Sequence, residues 1–185
     1  GSITANSSRN KRIVTTKIEH SSINETLKYL EKEGFIIDYL KLDNNGQIDL
    51  NNLKELLIYN PCLVTISLVD SELGIKQNVN EVGQIIKDYP MTKNIDLFSF
   101  SSHKIYGPVG IGCLIKKENI NISQVIHGGK SQSIYRGGTP SLPLIVAFSK
   151  AVRLANESLL ANYKIVENLN NYLKDELNSC NIFIN

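Results

Sequence analysis

Lys104 is the residue of this chain best placed for covalent chemistry. It follows Ser101, Ser102 and His103 and precedes a stretch with glycines at 107, 110 and 112. A primary amine condenses with aldehydes to form Schiff bases. The hydroxyls of Ser101 and Ser102 can donate to phosphate oxygens, and His103 adds a donor when suitably protonated. Together they suit a phosphate-bearing aldehyde. The glycines let the backbone turn sharply after the lysine. An isolated Ser-His-Lys would read more readily as a surface lysine in a polar turn. The whole patterned string, Ser99–Gly112, favours a reactive site.

Such a lysine needs a framework. The apolar run Ile95–Phe100 predicts a strand that delivers Lys104 to its carboxyl end, where open α/β sheets bind ligands. Gly112–Lys116 predicts another strand. Upstream, the β-branched run Arg12–Lys17 predicts a strand. Ser22–Glu33 has Ile23, Leu27 and Leu30 at helical spacing, Ser22 and Glu25 at capping-box spacing, and Gly34 to stop the helix. Phe35–Leu42 predicts a second strand, 44–46 a turn, and Asp49–Tyr59 a helix with Asp49 as its cap. Cys62–Val69 is nearly all apolar and predicts a strand buried on both faces. Asn80–Tyr89 and the long region Pro143–Asn178 predict helices. Strands alternating with helices imply an α/β fold with a mainly parallel sheet.

The bulk composition narrows the function classes. The 185 residues are 42% hydrophobic and 21% charged, with a net charge of +2, which is a globular composition. Acidic and basic residues alternate, so nothing points to nucleic acid. The apolar runs are too short to span a bilayer. The three cysteines, Cys62, Cys113 and Cys180, are scattered and show neither metal-ligand nor disulfide spacing. That usage fits a reducing cytoplasm and no metal site. Residues 1–11 are expected to be a tag or a disordered N-terminus, because they lack the apolar centre of a signal peptide.

The string Ser99–Gly112 resembles the lysine loop of the cysteine desulfurases, the NifS/IscS-like enzymes of the class V aminotransferase fold. Other blocks agree in order: Thr16–His20, Val69–Gln77, His127–Gly129 and Arg136–Pro140. The resemblance implies a fold-type-I large domain, a three-layer sandwich with a mainly parallel sheet, binding pyridoxal 5'-phosphate. It implies that Lys104 carries the cofactor and acts as general base, and that His20 stacks on the cofactor ring. Taken alone, His20 reads as a polar cap of the following helix. The resemblance further assigns phosphate donors to Ser101, His103 and Thr139, with Thr139 reaching the cofactor of a neighbouring subunit in a homodimer. Most members have an Asn pair where this chain has Asp70-Ser71, so Ser71 is the residue left to meet the ring hydroxyl.

Three family parts have no counterpart: a glycine-rich phosphate turn expected before Arg12, a strand ending in the ring-nitrogen Asp expected at Pro90-Met91, and a nucleophilic Cys expected on a loop past the long helix. The expected organisation is therefore partial. Residues 12–155 form the cofactor-binding core, and 156–185 a helix leading toward an incomplete small domain. The expected activity of the parent is sulfur transfer from L-cysteine, giving alanine and a persulfide. The sulfur passes to an acceptor or scaffold protein, as in iron–sulfur cluster assembly. The partial chain is expected to be inactive by itself. Two alternatives stay open: a catalytically dead scaffold or interaction protein, and another class V enzyme such as a selenocysteine lyase or an aminotransferase.

Overall fold

Ile13 and Val14 are adjacent, so in a strand they point to opposite faces, and both are 0% exposed. Strand β1 (Arg12–Thr15) is therefore covered on both sides, the pattern of the middle strand of an α/β sheet. The computed structural model describes residues 10–88, 96–129 and 133–180. The expected Pro90-Met91 junction, most of the expected N-terminal tag, and the ends of two expected elements at Tyr89 and Ile95 lie outside the described residues.

The chain divides into two compact units, one drawn from Gly1–Asp96 and Lys117–Gly138, the other from Leu97–Lys116 and Thr139–Asn185. In the first, β1 pairs in parallel with β2 (Ile36–Tyr39) and with β3 (Leu63–Val64), giving the order β2-β1-β3. Its helices are α1 (Ser21–Lys32), α2 (Leu50–Leu57) and α3 (Val79–Asp88). Val14 joins Leu40, Ile48, Leu53, Leu57 and Val82 in one core cluster. Asp49 caps α2 as expected, its side chain accepting from the N–H groups of Asn51 at 2.9 Å and Asn52 at 3.1 Å. Arg12 grips Asp38 on the neighbouring strand through two 2.8 Å bonds, and its guanidinium lies 4.4 Å from the Tyr59 ring centroid.

The structure corrects two expectations. The run Cys62–Val69 does not form one long buried strand: only Leu63–Val64 has strand geometry, and residues 62–67 are half-buried. The physical reason is its position. β3 is an edge of the described sheet, and its only partner, β1, is four residues long. The capping box at Ser22 and Glu25 does not form either. His20 is the N-cap of α1, and Glu25 pairs with Lys28 at 2.6 Å.

In the second unit, β4 (Leu97–Ser101) pairs antiparallel with β5 (Gly112–Lys116), in register from Leu97 opposite Lys116 to Ser101 opposite Gly112. Phe100 meets Phe148 edge-on at 5.4 Å. Helix α4 runs unbroken over Leu142–Ser179. A 3-10 turn, Ser102–Ile105, follows β4 and packs against α4. The parallel sheet with its helices bears out the α/β expectation.

Candidate active site

The lysine turn is built by a change of backbone habit. The ladder ends at Ser101, and the chain coils into the 3-10 turn that carries His103 and Lys104, both exposed. Two backbone bonds close the loop: Ser102 N–H donates to the Ile111 carbonyl at 3.1 Å, and Gly107 N–H to the Ser102 carbonyl at 3.0 Å. Tyr106 takes the left-handed conformation at φ 62° to end the turn. That backbone is uncommon for a bulky residue. The residue is 97% exposed.

Ser102 is the residue that sequence reasoning misjudges. It is 0% exposed, and its Oγ has no hydrogen-bond partner among the described residues. It lies beneath Gly107, where any Cβ would fall well inside van der Waals contact of Ser102 Oγ and 3.0 Å from Ala151 Cβ. A sealed hydroxyl cannot reach a phosphate, so Ser102 holds the turn and Ser101, half-buried, is left as the serine donor. Lys104, His103 and Ser101 are thus brought together within one turn of the second unit.

Thr139 is exposed in the same unit, two residues before Ser141, the N-cap position of α4. Neither is a side-chain cap of that helix. The glycine pairs upstream belong to the first unit, where they form a close backbone crossing. A Cβ at Gly137 would lie 2.6 Å from Gly128 N, and Gly137 N–H donates to the Ile126 carbonyl at 2.9 Å.

His20 and Ser71 lie in the first unit. His20 caps α1: its Nδ1 accepts from Ser22 N–H at 3.2 Å and sits 2.9 Å from Ser22 Oγ. The backbone N–H can only donate, so Nδ1 is the acceptor and the ring proton is on Nε2. His20 is exposed, which leaves Nε2 free to donate. Ser71 is exposed on a tight turn in which Asp70 Oδ1 accepts from Glu72 N–H at 3.1 Å and Leu73 N–H at 2.6 Å. One oxygen of the Asp70 carboxylate is thereby occupied.

Sequence reasoning passed over Glu19 as an individual residue. It is 6% exposed and accepts from Thr16 Oγ1, Ser67 N–H and Ser67 Oγ. The signal was there in Thr16 and Glu19, three apart and next to His20.

Among the described residues no group of three or more His, Cys, Asp or Glu is placed to hold a metal, and no helix is long and apolar enough to cross a membrane. Cys62 is half-buried, and burial pushes its thiol up, opposed in part by its own backbone bond. Cys113 is half-buried in β5, and Cys180 is exposed at the end of α4.

A model of the family described as "Aminotransferase class-V" matches residues 2–92 and 90–184. The two matched stretches overlap at residues 90–92. The chain is 37% identical over 185 residues to the cysteine desulfurase IscS of Buchnera aphidicola, covering 89% of this chain and 46% of that protein. Against the cysteine desulfurase IscS of Clostridium botulinum it is 33% identical, with the same coverages. The chain thus spans about half the length of the curated relatives it matches. Among solved structures, a NifS-like protein superposes with a TM-score of 0.88 at 32% identity, covering 96% of this chain and 54% of that one. SspA in complex with cysteine superposes with a TM-score of 0.67 at 31% identity, covering 77% of this chain and 47% of that one.

Proposed function

We propose an activity from one premise: the chain belongs to the aminotransferase class-V family. The reading is a pyridoxal 5'-phosphate-dependent cysteine desulfurase that takes sulfur from L-cysteine and leaves alanine. Similarity to curated cysteine desulfurases supports it, as does the likeness to a structure holding cysteine. The observation that carries it is the lysine turn. Lys104 presents an exposed amine at the carboxyl end of β4, beside Ser101 and His103, on a loop closed by backbone bonds.

The lysine turn fits a phosphate-bearing aldehyde: it offers an accessible primary amine, a serine hydroxyl and an imidazole within four residues. When bound, the cofactor supplies an electron sink for charge developing at the substrate Cα. Lys104 Nζ would hold the cofactor and would serve as the base that takes and returns the Cα proton. Ser101, His103 and Thr139 donate to the phosphate, Thr139 to that of a second subunit. On this reading His20 would hold the ring and Ser71 would bond its hydroxyl. The cysteine C–S bond breaks as a protein thiolate takes the sulfur, so cysteine and thiol become alanine and persulfide. Cys62 is a poor candidate for that thiol, because burial disfavours its thiolate. On the same reading the protein works in the cytoplasm as a homodimer and feeds an acceptor protein for iron–sulfur cluster assembly.

The test is spectroscopic. Purified protein mixed with pyridoxal 5'-phosphate should turn yellow, and borohydride should bleach it and add the cofactor's mass to the Lys104 peptide. Lys104→Ala should give no such adduct. Retention of the colour in that variant overturns the assignment. A second reading, a scaffold without catalysis, draws on the break at residues 90–92 in the family match. A protein that stays colourless with added cofactor favours the scaffold.

A further inference from the structure

Glu19 carries a carboxyl at 6% exposure, and no ion pair of the described residues includes it. A buried carboxyl without a cation is costly unless hydrogen bonds compensate it. Here three donors converge. Thr16 Oγ1 reaches Oε1 at 2.9 Å, Ser67 N–H reaches Oε1 at 2.9 Å, and Ser67 Oγ reaches Oε2 at 2.7 Å. The Glu19 carbonyl accepts from Asn24 Nδ2 at 2.6 Å. One residue therefore ties the end of β1, the first turn of α1 and the segment after β3.

What hangs on that tie is His20. It follows Glu19 directly, and its carbonyl accepts from Ile23 N–H at 2.8 Å and Asn24 N–H at 3.1 Å. Its imidazole is oriented by Ser22 through Nδ1. Ser67 leads four residues later to Ser71. We propose that Glu19 is a positioning residue. It clamps the β1–α1 turn onto Ser67, holding the His20 ring with Nε2 outward as a donor and fixing the base of the Ser71 turn. The proposal rests on the reading of His20 and Ser71 as cofactor-facing residues, but the clamp itself needs no ligand.

The chemistry of the three donors selects the variants. In Glu19→Gln the remaining oxygen keeps the bonds from Thr16 and Ser67 N–H. The new amide donates to Ser67 Oγ, which can accept as well as donate. The clamp should survive. Glu19→Ala removes all three bonds, and Ser67→Ala removes one. The readout is the His20 ring. With only three histidines in the chain, 15N-histidine labelling and a His20→Asn control assign its signals. Long-range proton–nitrogen correlation then distinguishes the two tautomers of the neutral ring.

The intact chain and Glu19→Gln should both show His20 as the single tautomer protonated on Nε2. Glu19→Ala should lose that single signature and give averaged nitrogen shifts, and Ser67→Ala should shift part of the way. A folded Glu19→Ala with unchanged His20 shifts overturns the proposal. If Glu19→Ala does not fold, an unchanged Ser67→Ala overturns it instead. A protein that stays colourless with pyridoxal 5'-phosphate yet keeps this pattern sinks the proposed activity and leaves the clamp standing.

Discussion

Replacing Gly107 by Ala tests whether the lysine turn is held by close packing. The new Cβ would overlap Ser102 Oγ, lie 3.0 Å from Ala151 Cβ and lie 3.1 Å from the Ser102 carbonyl oxygen. Gly107 is not among the glycines with positive φ, so steric overlap rather than backbone strain sets the cost. The overlap has no easy escape. The Ser102 carbonyl already accepts from Tyr106 and Gly107 N–H groups, and Ala151 is 8% exposed. Overpacking a rigid site costs about 1–3 kcal/mol, and this one belongs at the upper end. Ser102→Ala alone removes a buried hydroxyl without a protein partner and should change stability by less than about 1 kcal/mol. In the double variant the worst contact is gone and those with Ala151 and the Ser102 carbonyl remain, so about half the loss should return. The coupling is then about 1.5 kcal/mol, within the range for residues in contact. Urea unfolding followed by far-UV circular dichroism reads all four proteins. The Gly107→Ala midpoint should fall by about 1 M, given an ordinary dependence on denaturant. An unchanged midpoint for Gly107→Ala, or a double variant as unstable as the single one, refutes the packing argument.

Two further outcomes follow from local chemistry. Asp49→Ala removes the acceptor of the Asn51 and Asn52 N–H groups, and should cost about 1 kcal/mol in the same urea assay. Cys62 has its thiol pushed up by burial, so less of it is thiolate at a given pH. Iodoacetamide at mildly alkaline pH should label the exposed Cys180 well before Cys62, with Cys62 gaining as pH rises; peptide mass spectrometry checks the order.

What the sequence revealed of the fold was what local rules decide. The β-branched run at 12–15, the cap at Asp49 and the period of the long helix each depend on residues within one or two turns of each other. β3 did not follow from its run of apolar residues. The length of a ladder belongs to the pair of strands, and the partner β1 is only four residues long. At the start of α1 the capping box failed, while the reading of His20 as a polar cap held. Ser22 is the better cap by type, but His20 sits at the position where a side-chain acceptor meets the Ser22 N–H, and its Nδ1 serves as an Asn or Asp oxygen would. Position along the helix outranked residue preference.

The candidate site shows the same division. Lys104, His103 and Ser101 were legible because they are consecutive or nearly so, and one turn keeps them together whatever the rest of the fold does. Ser101 and Ser102 were not separable from sequence, because their difference arises where the strand gives way to the 3-10 turn. Up to Ser101 the side chains alternate between faces of the hairpin. One residue later the backbone has coiled, and Ser102 is carried under Gly107 and Ala151, which lie five and 49 positions further along the chain. Nothing near Ser102 encodes the arrival of Ala151. The helix that brings it does, through the packing of Phe148 against Phe100. A hydroxyl that reads as a ligand donor in the sequence is, in the folded chain, packed beneath Gly107 in the turn that carries Lys104.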